Sequence, residues 1–320
     1  MSLLNAGART LAVGAMLLAA VTASGQDYPN KPVRIIVSAP GGGSDFMARQ
    51  ISQGISGPLG QPVIVENRGG TYVAEEVVSK ALPDGYTLLI DASGVWIEPL
   101  LHKAPYDALK DFSPISLVSR TPLLLVVNPA LPVTSVGDLI AHAKSRPGSV
   151  NYAMQSVGGA NHLAGELFKA MAGVNIVGVP YKSTPQALGD LITGQVHLMF
   201  ANSIASMPHV KSGRLKALAV TSAQPSTAVP GVPTVAASGL PGYEIAAVFS
   251  TFAPARTPAP IVSRLHQEIV RTVNAADTKE RFAVTGSDVV TSSPQELAAT
   301  VKADVAKWGK LIRETGMRAE

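Results

Sequence analysis

The 320-residue chain contains no cysteine. This absence excludes disulfide bonds, thiolate metal sites and a lipoprotein anchor, because each of these needs a cysteine. Aromatic residues make up only 5% of the chain and charged residues 15%, whereas hydrophobic residues reach 46%. Such a composition is not typical of a disordered chain or a coiled coil. The length and the hydrophobic content are sufficient for two modest α/β domains.

Clusters of basic residues are absent as well. The chain has a formal charge of +4 and a pI of about 9.2, but its Lys and Arg residues are scattered singly. A nucleic-acid-binding surface normally shows a basic stripe with aromatic residues between the cations. We therefore expect no nucleic-acid partner, and only a mild attraction for small anions.

The N-terminus differs from the rest of the chain. Arg9 precedes an apolar run at residues 11–21, which is too short for a stable membrane anchor. Two cleavage sites of the small-x-small type follow, ending at Ala23 and Gly25. The pattern predicts a signal peptide over residues 1–25, cleaved at one of these sites, and export to the periplasm; a short membrane anchor is the alternative interpretation. No later segment has about 18 unbroken apolar residues, so we expect no further membrane segment.

Short β-rich runs alternate with helical patterns along the rest of the chain, which predicts an α/β fold with mainly parallel sheets covered by helices. The strands predicted in the first domain lie at 33–37, 63–65 and 86–90. The strand at 123–127 leaves this domain, the alternation then repeats, and an apolar run at 246–252 crosses back. We therefore expect lobe 1 to combine residues 26–127 with 248–320, and lobe 2 to hold residues 128–247.

Two C-terminal helices show single apolar faces. In the first, the apolar residues are spaced by four: Ile261, Leu265, Ile269 and Val273. The second begins at Ser293, and Pro294 and Glu296 complete the pattern of a capped helix start. Its apolar residues are Leu297, Val301, Val305, Trp308 and Ile312. We interpret both segments as packing helices.

Three glycine-rich turns each follow a predicted strand and precede a helix. They are Gly41-Gly42-Gly43-Ser44-Asp45, Asn67-Arg68-Gly69-Gly70 and Ser156-Val157-Gly158-Gly159-Ala160-Asn161. A helix start offers unpaired backbone N–H groups and a partial positive charge, and glycine lets a ligand approach that backbone closely. Such turns can hold a carboxylate without Arg or Lys. They can also be plain connections in an α/β sheet, but their matching positions in the two lobes favour ligand binding.

Enzyme and nucleotide-binding signatures are missing. The turn at Gly41 lacks the later glycine of the dinucleotide fingerprint, and no Gly-Lys-Ser/Thr follows it as in a P-loop. The chain has no Gly-x-Ser-x-Gly elbow, no His-Glu-x-x-His motif and no His–carboxylate cluster at metal spacing. His162 with Glu166 is the only pair that resembles a base and its partner, and we interpret His162 as a hydrogen-bonding residue at a helix start. We expect no enzyme, and neither a cofactor nor a metal.

Short motifs in a fixed order run through the chain after the signal peptide. Examples are Pro40-Gly41-Gly42-Gly43-Ser44-Asp45, Glu66-Asn67-Arg68, Pro83-Asp84-Gly85-Tyr86, Val179-Pro180-Tyr181-Lys182, Gly242-Tyr243-Glu244 and Ala253-Pro254. In this order and spacing, the segment from Tyr28 to Trp308 resembles the solute receptors of tripartite tricarboxylate transporters, the Bug family. The resemblance implies a two-domain Venus-flytrap fold, like that of type II periplasmic binding proteins. A ligand carboxylate would lie between the lobes, held by backbone N–H groups, hydroxyls and waters.

The resemblance also implies which residues form the two halves of the ligand site. The first-lobe residues are Gly41, Gly42, Gly43, Ser44, Asp45 and Ser93. The second-lobe residues are Gly158, Gly159, Asn161, His162, Ser183 and Thr184. The charge of Asp45 would repel an anionic ligand. We therefore expect this residue to brace the first turn by accepting backbone N–H bonds.

Several positions near this site depart from the family pattern. The turn after Arg68 is about two residues shorter than usual. The second-lobe turn usually reads Ser-x-Gly-x-Gly-Ser, and these four positions are Met154, Ser156, Gly158 and Gly159 in this chain. Because Met154 replaces a hydroxyl with an apolar surface, we hypothesise that the ligand carries an apolar or aromatic body on its carboxylate.

We therefore expect a monomeric periplasmic receptor that captures a small carboxylate by lobe closure and delivers it to the membrane subunits of a tripartite transporter. Two alternatives stay open. The receptor could instead relay the presence of its ligand to a membrane sensor protein. The chain could also be a periplasmic hydrolase, although no nucleophile lies beside a base at recognisable spacing.

Overall fold

A computed structural model describes residues 28–38, 40–154, 158–181, 183–226 and 229–315. The predicted signal peptide lies outside these residues. Within the described ranges, no helix is both long and apolar enough to span a membrane. The strands of these residues form one mixed sheet of ten strands, built in two halves.

The first half of the sheet begins with three parallel strands. They are β1 (Val33–Val37), β2 (Val63–Asn67) and β3 (Thr87–Ala92). β1 is central, with Val33 opposite Val63 of β2 and Ile35 opposite Leu88 of β3. Its Val and Ile residues are buried, as expected for a parallel strand that helices cover on both faces. One helix follows each strand: α1 (Gly43–Leu59), α2 (Val73–Ser79) and the short α3 (Gly94–Ile97), which a 3-10 turn at Glu98–Leu100 extends.

A 16-residue strand, β4 (Phe112–Val127), joins the two halves of the sheet. As far as Pro122 it pairs antiparallel with β9 (Ala246–Pro254), which also pairs with β3. From Leu123 onward the partners of β4 are strands of the second half. The partners therefore change inside the segment that the sequence pattern assigns to lobe 1.

The second half repeats the alternation of strands and helices. Its strands are β5 (Val150–Met154), β6 (Ile176–Pro180), β7 (Leu198–Asn202) and β8 (Lys216–Val220). Its helices are α4 (Val136–Ser145), α5 (Ala160–Ala172), α6 (Thr184–Thr193) and α7 (Ser203–Lys211). β5 pairs in parallel with β6 and β7, whereas β4 pairs antiparallel with β7 and β8.

The expected parallel pairing is found among the outer strands β1–β3 and β5–β7, whereas the centre of the sheet is antiparallel. β4 carries the chain out of lobe 1 and β9 brings it back. Because one strand leaves lobe 1 and the other returns beside it, the two strands run in opposite directions. Each of them is also antiparallel to its other neighbours.

One buried threonine forms hydrogen bonds to both connections between the lobes. Thr221 is fully buried; its N–H donates to the carbonyl of Leu123 (2.9 Å), and its hydroxyl accepts from the Leu123 N–H (2.8 Å). The same hydroxyl donates to the carbonyl of Ile245 (2.7 Å), and the Thr221 carbonyl accepts the Ile245 N–H (3.0 Å). Thr221 therefore bonds to both connections at the point where they pass between the lobes, next to the paired residues Pro122 and Ala246.

The C-terminal segment packs on the first half of the sheet. Its elements are α8 (Ala259–Asn274), α9 (Ala276–Val284), β10 (Asp288–Val289) and α10 (Pro294–Thr315). Leu265, Ile269 and Val273 of α8 are fully buried, which confirms the predicted packing face. At the start of α10, the Ser293 hydroxyl accepts the Glu296 N–H and the Glu296 carboxylate accepts the Ser293 N–H. The predicted cap is therefore confirmed.

Replacing Thr221 by valine keeps the side-chain shape but removes the hydroxyl. The Leu123 N–H and the Ile245 carbonyl then each lose a buried hydrogen bond, so we expect the free energy of unfolding to fall by roughly 2 kcal/mol. Urea unfolding measures this change. Thr193→Val serves as the control, because its hydroxyl lies on the exposed surface of α6 and should matter by less than about 0.5 kcal/mol. Equal losses in the two variants would contradict the fastening role of Thr221.

Candidate functional site

One carboxylate holds the first glycine-rich turn, which joins β1 to α1. Asp45 Oδ2 accepts hydrogen bonds from the Gly41 N–H (3.0 Å) and the Arg49 Nε–H (3.0 Å), and Oδ1 accepts one from the Asn67 amide (3.0 Å). The bond from Arg49 is the main cause that lowers the pKa of Asp45 to about 2, with help from Asn67 and Gly41 and against the effect of burial. Asp45 is therefore ionised and supports the first turn by accepting the Gly41 N–H, as expected from its charge.

Among the described residues, no side chain caps the start of α1. Gly42 is the N-cap residue, with φ −82° and ψ 176°, and the Ser44 hydroxyl points away to donate to Asp91 Oδ1 (2.8 Å). A Cβ on Gly43 would lie 2.5 Å from the nearest ring atom of Phe249, so the absence of a side chain lets this ring lie against the turn. The backbone N–H groups at this 17-residue helix start therefore remain available to a ligand.

A cavity of about 490 Å³, which we call the Phe249 cavity, lies beside this turn. Lobe 1 lines it with Gly41, Gly42, Gly43, Phe46, Met47 and Phe249. Lobe 2 lines it with Thr184, Asn202 and Ala205. No Lys or Arg is among the described residues that line it.

The start of α6 reaches the Phe249 cavity from the second lobe. Ser183 is the N-cap residue, and its exposed hydroxyl accepts the Gln186 N–H (3.4 Å). Thr184, the first residue of the helix, borders the cavity. The starts of α1 and α6, which belong to different lobes, therefore lie at one cavity. Ser183 caps α6, and Thr184 borders the cavity.

The second-lobe turn is held by a histidine. The Gly158 N–H donates to Nδ1 of His162 (3.0 Å), and the His162 N–H donates to Oδ1 of Asn161 (3.0 Å). Burial lowers the pKa of His162, so the ring is neutral and accepts this bond. His162 therefore holds the start of α5, as the sequence predicts, while Gly159 is the N-cap residue without a side-chain cap. Ser156 of this turn lies outside the described residues.

A second cavity, of about 1100 Å³, lies between α5 and the first lobe, and we call it the acidic cavity. From lobe 1 it is lined by Tyr72, Glu75, Asp91, Ser93, Gly94 and Glu98, among others. From lobe 2 it is lined by Gly159 and Ala160. A Cβ on Gly158 would lie 2.9 Å from Cγ of Glu98, so the second-lobe turn lies directly against the first lobe here.

The carboxyl groups of the acidic cavity do not behave as ordinary surface acids. Burial, together with the charge of Asp91, raises the pKa of Glu75 to about 8. The same two causes raise the pKa of Glu98 to about 7. Burial also raises the pKa of Asp91, although bonds from the Ala92 N–H and the Ser44 hydroxyl oppose this effect. Near neutral pH the three groups therefore do not all carry a negative charge.

The predicted site residues fall into two groups. Those that border the two cavities are Gly41, Gly42, Gly43, Ser93, Gly159 and Thr184. Those that form hydrogen bonds supporting the turns are Ser44, Asp45, Gly158, Asn161, His162 and Ser183. The second group positions the backbone that the first group presents to the cavities.

Sequence reasoning missed the acidic cavity and the contact between Gly43 and Phe249. Asp91 offered a signal, since an acid at the end of a buried parallel strand such as β3 is uncommon. Glu75 and Glu98 offered none, because each is an ordinary acid on a short helical segment. Phe249 reaches the turn only because β9 returns from lobe 2, and no local pattern encodes that return.

Two α/β lobes joined by crossing strands, with helix starts facing the cleft, define the two-lobe solute-binding proteins as a class. A family model described as the tripartite tricarboxylate transporter family receptor matches residues 47–317. The curated protein BugT of Bordetella pertussis is 36% identical over 320 residues, covering 97% of this chain and 98% of BugT. The chain therefore belongs to the tripartite tricarboxylate transporter receptor family, which includes the Bug proteins.

Solved structures of relatives share this fold. The R. palustris protein Rpa4515, solved with adipate, superposes with a TM-score of 0.81 at 36% identity, covering 91% of this chain and 99% of that one. MatC from Rhodopseudomonas palustris, solved with bound malate, gives a TM-score of 0.78 at 30% identity, covering 89% and 100%. These likenesses confirm the predicted two-lobe, binding-protein fold.

Glu75→Gln is expected to make the stability of the protein less dependent on pH. The ordinary pKa of a glutamate is 4.5, whereas that of Glu75 in the folded protein is about 8. Between these values the folded state binds more protons than the unfolded chain. The free energy of unfolding therefore falls as pH rises through this range, and levels off above it. In the variant this fall should be smaller by on the order of 2 kcal/mol.

Urea unfolding at about pH 5 and about pH 8 measures this difference. Glu76→Gln is the matched control, because Glu76 is the next residue on α2, is half-exposed and pairs with Lys80. It should keep the pH dependence of the unsubstituted protein. If the free energy of unfolding fell equally in Glu75→Gln and in the unsubstituted protein, Glu75 would not hold its proton in the folded state.

Proposed function

We propose that the protein is a monomeric periplasmic receptor that captures a small carboxylate between its lobes and delivers it to the membrane subunits of a tripartite tricarboxylate-type transporter. The observation that carries this proposal is that helix starts from both lobes meet at the cleft. α1 and α6 begin at the Phe249 cavity, and α5 begins at the acidic cavity. The starts of α1 and α5 offer backbone N–H groups, and all three helix starts present a partial positive charge to an anion.

Carboxylate binding at these helix starts needs no cationic side chain. Arg49, the cation next to the first turn, is already paired with Asp45 (3.0 Å). Two relatives, Rpa4515 and MatC, were solved with the carboxylates adipate and malate. Their ligands support a carboxylate as the chemical class for this chain.

The Phe249 cavity supports a ligand with an apolar or aromatic body. Phe46, Met47 and Phe249 give it an apolar wall beside the glycine turn. The hypothesis of an apolar ligand body is based on Met154, but this residue is not among the described residues that line either cavity. Met154 lies against Gly178 instead, since its sulfur would be 3.2 Å from a Cβ on that glycine. The support for an apolar body therefore comes from the first lobe rather than from Met154.

Capture by closure follows from the way both lobes line each cavity. A ligand that contacts both lobes stabilises the arrangement in which they are close, and membrane components can recognise that arrangement. β4 and β9 are the connections about which the lobes would move. We propose lobe 1 as residues 26–127 plus 248–320 and lobe 2 as residues 128–247, with residues 1–25 as a signal peptide that directs export.

The most direct test is a thermal-shift screen of the exported chain against mono-, di- and tricarboxylates, aromatic acids and amides. A ligand at a hundred times its Kd stabilises the folded state by about 2.7 kcal/mol, which raises Tm by several degrees. An acid should therefore raise Tm with increasing concentration. A screen in which no acid raises Tm would contradict the proposal.

Gly42→Leu is expected to abolish this ligand-induced rise in Tm. The backbone of Gly42 has φ −82°, which any residue adopts, so leucine places bulk in the Phe249 cavity without backbone strain. The Tm without ligand should change little. Gly57→Leu is the control, because a Cβ on Gly57, in the same helix, meets open space. If the rise in Tm survived in Gly42→Leu, the first-lobe turn would not be the binding site.

A further inference from the structure

We propose that the acidic cavity binds a positively charged nitrogen of the ligand, so that the captured solute is an amino-carboxylate rather than a diacid. This inference rests on the proposed capture of a carboxylate between the lobes, and it adds the chemistry of the second end of the ligand. Three carboxyl groups meet in the cavity. Glu75 comes from α2, Asp91 from the end of β3 and Glu98 from the turn after α3.

These acids lack cationic partners. Glu75 is 8% exposed and Asp91 9%, and no ion pair with Lys or Arg forms at Glu75, Asp91 or Glu98 among the described residues. Lys103 and His102 also line the cavity, but Lys103 is exposed and forms no ion pair there. Buried acids are normally paired with a cation or hold a proton, so three acids in one cavity wall without a Lys or Arg partner among the described residues are unusual.

Two buried polar atoms in this wall have no hydrogen-bond partner among the residues that the structure describes. They are the hydroxyl of Tyr72 and Oε2 of Glu75, and both residues are 8% exposed and line the cavity. Buried polar atoms are normally satisfied, and a bound group is one explanation for those that are not. An ammonium group carries several N–H donors and a positive charge, so it can satisfy the carboxylate oxygen and the phenolic oxygen together.

The opposite wall of the same cavity suits a carboxylate. The 13-residue helix α5 begins at Ala160, and its N-cap residue Gly159 has no side chain to cap this start. A ligand with a carboxylate at one end and an amine at the other can therefore contact both lobes within one cavity. A diacid would instead bring a second negative charge against Glu75, Asp91 and Glu98, where nearby like charges repel.

Burial and neighbouring charge raise the pKa of Glu75 to about 8 and that of Glu98 to about 7, which agrees with a subsite for a positively charged group. Both shifts follow from burial and from the charge of Asp91, which means that the cavity favours an added positive charge. Without a ligand, a proton fills this role. Binding of an amine should therefore release protons, which calorimetry in buffers of different ionisation enthalpy detects.

The test compares ligands that differ only at the far end. Straight-chain acids of about three to six carbons are taken in three forms: the plain acid, the diacid and the ω-amino acid, such as hexanoate, adipate and 6-aminohexanoate. Isothermal titration calorimetry at about pH 8 gives the affinity of each for the exported chain. At the best chain length, we expect the amino acid to bind at least about tenfold more tightly than the diacid and the plain acid.

Tighter binding of the diacid, or equal binding of the amino acid and the plain acid, would overturn the cationic subsite and leave the capture of a carboxylate standing. Binding of none of these probes would also overturn it. The thermal-shift screen of acids then tests the proposed capture of a carboxylate separately.

Glu75→Gln should reduce the preference for the amine about tenfold, because it keeps the side-chain shape and removes the charge. Glu98→Gln, on a different element, is the second variant should the first fail to fold. Glu76→Gln is the matched control on α2, and it should keep the full preference, because Glu76 faces Lys80 and lines neither cavity. A preference that survives both substitutions in the cavity would overturn the proposal.

Discussion

The site of this receptor depends on one constraint: two antiparallel strands are the connections that carry the sheet from lobe to lobe. β4 and β9 lie side by side, and Thr221 bonds to the chain at both crossing points through its backbone and its hydroxyl. These hydrogen bonds hold the two connections together at the place where the lobes join. The glycine turn of lobe 1 borders the Phe249 cavity together with the start of α6, and the start of α5 borders the acidic cavity.

The same chemical group takes different roles at two neighbouring positions of lobe 1. Asp45 accepts three hydrogen bonds, one of them from Arg49, and stays ionised to hold the first turn. Asp91 lies beside that turn and is bonded to Ser44, but it is buried next to Glu75 and Glu98 without a cation. Environment rather than residue type therefore decides which carboxylate supports the backbone and which one lines the acidic cavity.

Much of the fold could be predicted from the sequence because its signals are local. The apolar run of β1, the cap at Ser293 and the spacing of Leu265, Ile269 and Val273 each follow from the period of one element. The glycine turns were recognised in the same way, and the structure places Gly41 to Gly43 and Thr184 at one cavity.

What could not be predicted arises from distant segments. Phe249 meets Gly43, and Glu98 meets Gly158, only after the chain has crossed between the lobes and returned. The antiparallel centre of the sheet has the same origin. A motif places a residue at the start of a helix, but it does not tell which surface lies opposite, and the ligand chemistry is set by that opposite surface.

The central claim is that backbone N–H groups at helix starts of both lobes hold the ligand carboxylate. A crystal structure of the protein with the acid that raises Tm most tests this claim directly. We predict that the acid lies between the lobes, with its carboxylate oxygens about 3 Å from backbone nitrogens at the starts of α1, α5 or α6. A carboxylate bound by a Lys or Arg side chain, or bound outside the cleft, would contradict the account.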